Sequence, residues 1–390
     1  MSPRYERRQR GGGGALLLLI AAAALVVAVL AIFTDVFSGK KAPDKDTDSP
    51  AVTQPADGEP DGTGDADNTA KDPEGDQKGG QSGNGDGNTD KSTVTTTKPA
   101  ASNVITTDAT PYQSGGVYIV GNAGYEMYNY VGSLAEKYQS TVNAVADSLS
   151  GVSNVYAMAI PLSSSITLPD SLLSDIPGSD QAQAEKDILA GMGQNIKTVP
   201  LHDALNAHRT EYIYFRTDHH WKPEAAFFAW QALTDELEER YGLDADPALT
   251  DPANWDTRVL EHFFLGSQGK RVGSLYAGAD DITLYTPKFD SELTYSCPAY
   301  GFTRTGPFET SVCFPERVAQ QDWFNGNPYT YYAGGDYPIA TITNHKNPDG
   351  PRVVLLRDSF ACALTPFLAL SCSELTTIDL RYFEGDLLDT

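Results

Sequence analysis

The sequence predicts an α/β domain with a mainly parallel β-sheet covered by helices on both faces. Short apolar or β-branched runs alternate with helical patterns between residues 112 and 242, and the alternation returns at Arg352. The segment 243–350 interrupts it with a composition rich in Tyr, Phe, Gly and Pro. Strands that alternate with helices usually pair in parallel, because each crossover helix returns the chain to the same end of the sheet.

The individual elements follow from local patterns. Strands are predicted where aromatic, β-branched or aliphatic residues cluster: 117–121, 155–160, 195–200, 211–216, 353–356 and 376–383. Helices are predicted where apolar residues recur at helical spacing: 131–149, 180–190 capped by Ser179, 223–241, and 360–370, which Pro366 kinks or restarts. Thr390 lies within the start of another helical pattern, so we expect a further helix and strand in a longer protein.

The N-terminal segment predicts a transmembrane signal anchor. Residues 1–14 are a basic tail that carries Arg4, Arg7, Arg8 and Arg10. Residues 15–33 are an unbroken apolar run, roughly 28 Å long as a helix, which matches the thickness of a bilayer core. The basic flank places the N-terminus in the cytoplasm and the C-terminal domain outside the cell. A cleaved signal peptide is the alternative, but the run is long for one and no A-x-A-like site directly follows it.

Residues 34–110 predict a disordered acidic linker rich in Gly, Asp and Thr. Such a segment buries too little apolar surface to offset the entropy of its chain. Residues 111–390 are then the extracellular domain. A long tether would let this domain search a thick layer above the membrane, as on the surface of a Gram-positive bacterium.

Within that domain, 243–350 is predicted to be an insertion of loops and short strands that fold over the edge of the sheet. It contains two glycine-rich turns, 264–271 and 331–336. Neither fits the phosphate-loop pattern G-x-x-x-x-G-K-[ST]. The insertion is expected either to form walls of a substrate site or only to cap the sheet.

Charge and cysteine content restrict the function. The net charge of −24 argues against nucleic acid as a partner, because phosphate binding needs a basic surface. The four cysteines, Cys297, Cys313, Cys362 and Cys372, form no C-x-x-C pair, so neither a zinc nor a redox motif is indicated. Outside the cell, Cys297 could pair with Cys313; four free thiols are the alternative.

The first candidate cluster is Thr-Asp-His-His-Trp at 217–221, between a predicted strand and a predicted helix. On an extended backbone Asp218 and His220 point the same way and His219 points the other way. The carboxylate of Asp218 could then hold the imidazole of His220 in one tautomer, as a general base requires. The alternative is structural, with the aspartate capping the helix and the histidines and Trp221 only packing.

The second cluster is Arg-Asp-Ser-Phe at 357–360, where another strand meets a helix. This is the geometry of a nucleophile elbow, although the sequence is not G-x-S-x-G. The start of the helix would offer free N–H groups to an oxyanion. An ordinary N-cap formed by Asp358 or Ser359 is the alternative. Together the two clusters supply the Ser, His and Asp of a catalytic triad at the ends of two predicted strands.

The stretches TDHHWKPEAA and LLRDSFACALTPFLA resemble the DHHW family of bacterial surface proteins. That family is similar to the SGNH-hydrolase-like O-acetyltransferases of the alginate O-acetylation type. The resemblance implies an SGNH-like three-layer α/β/α sandwich, with Ser359 as nucleophile, His220 as base and Asp218 as the residue that orients it. Arg357 stands where those acetyltransferases have Gly, and could crowd the site or bind an anionic substrate.

The expected function is a membrane-anchored extracellular serine O-acyltransferase or esterase that acts on a cell-surface or cell-wall glycan, with no cofactor. His219, Trp221 and Arg357 are candidate substrate-binding residues. Acyl transfer would require a membrane partner that exports the acyl donor, and this expectation rests on the resemblance. A non-catalytic glycan-binding or scaffolding protein of the same fold is the alternative. A metal hydrolase that uses Asp218, His219 and His220, with His262 or His345 as a further ligand, is a third.

Overall fold

The computed structural model describes residues 16–23, 110–174, 178–241 and 246–387. The strands in these ranges are β1 (Leu16–Ala23), β2 (Tyr112–Ser114), β3 (Val117–Val120), β4 (Ala123–Glu126), β5 (Ser153–Ile160), β6 (Ile196–Pro200), β7 (Trp255–Phe264), β8 (Asp280–Pro287), β9 (Leu293–Cys297), β10 (Phe302–Gly306), β11 (Ile339–Asn344), β12 (Arg352–Arg357) and β13 (Glu374–Asp379). The α-helices are α1 (Gly132–Ser148), α2 (Ser163–Ile166), α3 (Gln181–Ala190), α4 (His202–Asn206), α5 (Pro223–Tyr241), α6 (Pro247–Thr250), α7 (Ser267–Val272), α8 (Phe308–Ser311) and α9 (Ala361–Leu370). Among the short 3-10 helices, Pro328–Tyr331 matters for the site.

Eight strands form one sheet in the order β10-β9-β11-β13-β12-β1-β5-β6. The half from β13 to β6 is parallel. The strands β9, β10 and β11 pair antiparallel, and β11 joins β13 antiparallel. Two smaller sheets, β2-β3-β4 and β7-β8, are antiparallel.

The prediction of a mainly parallel sheet therefore needs correction. Among the described strands, antiparallel pairings outnumber parallel ones, and the fold is a mixed α/β fold with several sheets. The reason lies in the segment predicted as an insertion, which supplies β7 to β11. β9 and β10 are joined by a short turn, which only antiparallel strands can use.

The core above the sheet is built where α5 packs on α9. The apolar face predicted for the helix at 223–241 is present, because Ala226, Trp230 and Leu233 are fully buried. The rings of Trp230 and Phe367 stack with centroids 5.7 Å apart. Burying large apolar side chains of this kind stabilises the fold by about 1.5–3 kcal/mol each. This core fixes α5 and α9, whose N-terminal ends carry the two sequence clusters.

The prediction of a strand over 211–216 is wrong. All of these residues are described, and Tyr214 makes only an isolated antiparallel bridge with Trp221. The aromatic and β-branched residues are buried as a loop inside the domain, and the hydroxyl of Tyr214 donates to the carbonyl of Pro161 at 2.6 Å. Aromatic and β-branched residues are common in strands largely because strands are buried, so a buried loop can have the same composition. The first cluster thus follows a buried loop and precedes a helix.

One smaller prediction changes, and one open alternative is decided. The helix α3 is capped by Asp180, whose carboxylate accepts from the N–H of Gln183 at 3.0 Å, whereas Ser179 accepts from the N–H of Tyr130. All four cysteines, each within the described part of the chain, are buried and free, so Cys297 is not bonded to Cys313. Both thiols are instead part of the core.

The segment predicted as a membrane anchor is described only at Leu16–Ala23. There the backbone is the strand β1, parallel to both β12 and β5, where a helix was expected. A short continuous apolar run suits a buried parallel strand as well as a helix, and periodicity does not separate the two. Residues 24–33 and the predicted linker up to residue 109 lie outside the described residues. In the described ranges no helix is both long and apolar enough to cross a bilayer.

Candidate active site

Ser359, His220 and Asp218 form one continuous series of hydrogen bonds. Ser359 Oγ lies 2.8 Å from His220 Nε2. On the other side of the ring, His220 Nδ1 lies 2.6 Å from Asp218 Oδ1. The structure therefore brings together the three residues that were predicted from two clusters 139 residues apart.

The pairing of Asp218 with His220 has a local cause that differs from the predicted one. Asp218 Oδ1 also accepts from the backbone N–H of His220 at 3.0 Å, which makes a turn closed by the side chain. His219 therefore does not point away. Its ring lies beside that of His220, with centroids 3.9 Å apart, and its Nδ1 lies 2.9 Å from Ser267 Oγ.

A glycine-rich turn holds the outer oxygen of Asp218. The N–H of Ser267 donates to Asp218 Oδ2 at 2.8 Å, and Gly266 donates to Thr217 Oγ1 at 2.9 Å. A Cβ on Gly266 would lie 2.2 Å from the Cβ of Asp218, so only glycine fits. This turn was expected only as part of the segment that walls a substrate site or caps the sheet. Its contact with Asp218 spans 49 residues and leaves no pattern in the sequence.

Asp280 is a second residue that the sequence analysis missed. Its buried carboxylate accepts from the N–H groups of Arg216 and Thr217 at 2.9 and 2.8 Å, from Thr217 Oγ1 at 2.5 Å and from the hydroxyl of Tyr212. Burial raises the pKa of the Asp280 carboxyl, and the hydrogen bonds from Thr217 and Tyr212 oppose this shift. Asp280 thus fixes the backbone immediately before Asp218.

The nucleophile turn uses its own backbone donors. The N–H of Phe360 donates to Asp358 Oδ1 at 3.0 Å, that of Ala361 to the Asp358 carbonyl at 3.2 Å, and that of Cys362 to the Ser359 carbonyl at 3.1 Å. The prediction that the start of this helix offers free N–H groups to an oxyanion is wrong for these three. They hold the turn that presents Ser359, which remains partly exposed.

Trp221 and Arg357, two of the predicted substrate-binding residues, are both buried. The indole of Trp221 is fully buried and its Nε1–H donates to the Phe360 carbonyl at 2.8 Å. The guanidinium of Arg357 pairs with Asp336 Oδ1 at 2.6 Å and donates to the Gly335 carbonyl at 2.7 Å. Its charge is thus neutralised inside the protein, where a substrate does not contact it.

The electrostatics favour an ionised Asp218 and a neutral His219. Burial alone would raise the pKa of the Asp218 carboxyl, but the imidazoles of His219 and His220 and the N–H of Ser267 hold it well below its usual value. Burial, followed by the proximity of His220, lowers the pKa of His219. With Asp218 ionised, His220 Nδ1 must be the donor in their hydrogen bond, and in the neutral form of the imidazole Nε2 is then the acceptor for the hydroxyl of Ser359.

The same three side chains are also the only described cluster with the spacing of a metal site. Possible ligand atoms of Asp218, His219 and His220 lie within 4.8 Å of one another. Both ring nitrogens of His220 are already hydrogen-bonded, however, and the proposed further ligand His345 bonds to Thr294 Oγ1. His262 is exposed and lies near Asp281. The contacts therefore suit proton transfer better than metal ligation.

The sequence model of one family, described as DHHW protein, matches residues 87–376. A search of curated proteins finds no match. Among solved structures, a DHHW family protein from Eubacterium siraeum is 23% identical, with a TM-score of 0.57, over 71% of this chain and 86% of that chain. PatB1 from Bacillus cereus is 21% identical, with a TM-score of 0.54, over 71% of this chain and 89% of that chain. At such identities the likeness concerns the fold.

Proposed function

This chain belongs to the DHHW family, and we propose that it is a serine O-acyltransferase or esterase that acts on a cell-surface or cell-wall glycan, with acetyl as the expected acyl group. The observation that carries the proposal is the series of hydrogen bonds from Asp218 through His220 to Ser359. We further propose that the domain is an SGNH-like three-layer α/β/α sandwich, as the family resemblance implies.

In the first step, Ser359 Oγ attacks the carbonyl carbon of the acyl donor. Its proton passes to His220 Nε2, and the imidazolium is stabilised by the ionised Asp218. When the tetrahedral intermediate collapses, the bond to the donor oxygen breaks and His220 gives its proton to that oxygen. Ser359 is then esterified and the donor leaves as an alcohol.

In the second step, a hydroxyl group attacks the ester carbonyl on Ser359. His220 Nε2 takes the proton of that hydroxyl and returns it to Ser359 Oγ as the acyl group leaves. With water as the acceptor the reaction is ester hydrolysis, and with a sugar hydroxyl it is acyl transfer. Transfer is the expectation of the family resemblance, and it would need a membrane partner that exports the acyl donor.

A sulfonyl reagent tests the nucleophile directly, because a structure of Bacillus cereus PatB1, 21% identical with a TM-score of 0.54 over 69% of this chain and 86% of that chain, carries a sulfonyl adduct. We expect one adduct per chain, located at Ser359 by mass spectrometry and absent in Ser359→Ala. Ser296→Ala is the matched control, because Ser296 Oγ bonds to Thr303 on the neighbouring strand. A folded protein that is not labelled but binds a glycan tightly would support the non-catalytic alternative.

We also propose that the chain is anchored in the cell membrane by 15–33, with the domain outside the cell. The support is the basic flank followed by the long apolar run. The strand β1 within this run is the competing arrangement, since the same residues cannot serve both. Fractionation of cells that express the full chain tests the anchor: protein in the soluble fraction would contradict it.

A further inference from the structure

We infer that Tyr329, from the segment 243–350, is a positioning residue that aligns the general base and the nucleophile at the same time. The inference rests on the proposed function, because positioning has a meaning only for a site that reacts. No motif indicated this tyrosine. It lies in the 3-10 helix Pro328–Tyr331, and its side chain is buried.

The ring of Tyr329 lies against the imidazole of His220. The two rings are stacked, with centroids 4.3 Å apart and an angle of 22° between their planes. The ring of Phe360 lies 5.0 Å from His220 and that of His219 lies 3.9 Å from it. Rotation of the imidazole about its Cβ–Cγ bond would break its contact with Asp218 or with Ser359. The three neighbouring aromatic rings oppose such rotation.

The hydroxyl of Tyr329 contacts the backbone of the turn that carries Ser359. It lies 2.8 Å from the Phe360 carbonyl and 3.1 Å from the Ser359 carbonyl, and donates to this pair of acceptors. The N–H of Ala363 in turn bonds to the hydroxyl oxygen. Burial raises the pKa of Tyr329 well above its usual value, so the hydroxyl keeps the proton that it donates. One side chain therefore fixes the carbonyls of the nucleophile turn and caps the first turn of α9.

Both contacts bear on the distance between Ser359 Oγ and His220 Nε2. The ring limits where the imidazole can lie, and the hydroxyl limits where the turn that carries Ser359 can lie. A misplacement of about 1 Å between reacting groups can lower a rate about a hundredfold. Loss of the hydroxyl alone should therefore lower kcat about tenfold to a hundredfold with little effect on KM.

The experiment compares three variants of the full chain in ester turnover. Tyr329→Phe removes the hydroxyl, Tyr329→Leu also removes the ring, and Tyr331→Phe is the matched control. Tyr331 is also buried and lies two residues away, but its hydroxyl bonds to Cys313. We expect kcat to fall in Tyr329→Phe and further in Tyr329→Leu, with KM, circular dichroism and the Tyr331→Phe variant unchanged. An equal loss of kcat in Tyr331→Phe would overturn the inference, because general packing would then explain it.

A second readout does not depend on turnover. The proton that His220 Nδ1 donates to Asp218 should give a low-field proton NMR signal, because the bond is short and charge-assisted. We expect this signal to broaden or disappear in the two Tyr329 variants and to persist in Tyr331→Phe. Its persistence in Tyr329→Leu would overturn the inference even if the wild type proved inactive. If the wild type does not turn over esters or label at Ser359, the proposed function fails separately.

Discussion

The indole N–H of Trp221 donates to the carbonyl of Phe360 at 2.8 Å, which joins the residue after His220 to the residue after Ser359. The two sequence motifs are therefore connected directly, and not only through the proposed triad. This contact explains why a fully buried tryptophan stands in a motif that otherwise carries the polar residues of the proposed triad. It fixes the position of His220 relative to Ser359.

Replacing Trp221 by Phe should cost stability without a loss of substrate binding. The variant keeps an aromatic ring but removes one donor to a buried carbonyl, so we expect the free energy of unfolding to fall by about 1 kcal/mol. The Phe360 carbonyl keeps the hydroxyl of Tyr329 as a donor, which limits the loss. Denaturant unfolding and the KM for an ester substrate measure the two effects. A raised KM at unchanged stability would restore the predicted role in substrate binding.

Replacing Arg357 by Ala should destabilise the protein by about 1.5–3 kcal/mol, because it leaves the partly buried carboxylate of Asp336 without its nearest cation. Arg381 also pairs with Asp336, at 2.7 Å, and could reduce the loss. Denaturant unfolding checks this value, and Arg352→Ala is the control, because the ion pair of Arg352 with Glu374 is exposed. A stable Arg357→Ala protein that no longer discriminates between anionic and neutral esters would contradict this account.

The sequence indicated the three hydrogen-bonded residues of the proposed triad better than the residues that support them. Asp218 and His220 were paired correctly because a turn closed by the aspartate side chain is a local feature, whatever the backbone around it. Ser359 was chosen as the candidate nucleophile because the boundary between a strand and a helix is also visible in the local sequence. Ser267 and Asp280 reach the first cluster across 49 and 63 residues, and such contacts leave no periodic pattern.

The fold predictions likewise succeeded where the signal was local and failed where it depended on distant contacts. Helices with a clear apolar face, such as α5, were predicted nearly to their ends. The segment 211–216 was misread, because buried aromatic residues in a loop have the composition of a strand. Short strands were expected within 243–350, but the bounds and pairing of β9 to β11 were not predicted. The partners of β11 include β13, which lies outside that segment, and such pairing leaves no local pattern.

Replacing Gly266 by Ala should lower kcat even in protein that remains folded. The added Cβ would lie 2.2 Å from the Cβ of Asp218, so the carboxylate must move relative to His220. A shift of this kind can lower kcat about a hundredfold. Gly132→Ala is the control, since its nearest neighbour, a ring carbon of Tyr130, lies 4.0 Å away. Normal turnover by Gly266→Ala would mean that the position of Asp218 is not critical.

The stability should fall as the pH drops below the usual pKa of histidine, about 6.5. The folded state lowers the pKa of His219, so the unfolded chain binds more protons in the window just below that value, and protonation favours unfolding. Asp218 has a lowered pKa as well, but its stabilising contribution is lost only below about pH 3.9. The two contributions therefore occupy separate windows.

Denaturant midpoints at pH 7.5, 6.5 and 5.5 measure the upper window. We expect a shallower pH dependence in His219→Gln, which cannot be protonated, than in the wild type. The charged groups near His219, namely Asp218, His220, Glu126 and Asp358, are retained in this variant, so only the imidazole of His219 is removed. Equal pH dependence in the two proteins would exclude His219 as the cause.

The most direct measurement is hydrolysis of a small chromogenic acetyl ester by the full chain, compared with Ser359→Ala and His220→Ala. The account predicts turnover by the wild type and its loss in both variants, since each removes one end of the 2.8 Å contact that activates the nucleophile. Turnover that survives in Ser359→Ala would contradict the central claim that this serine carries the acyl group.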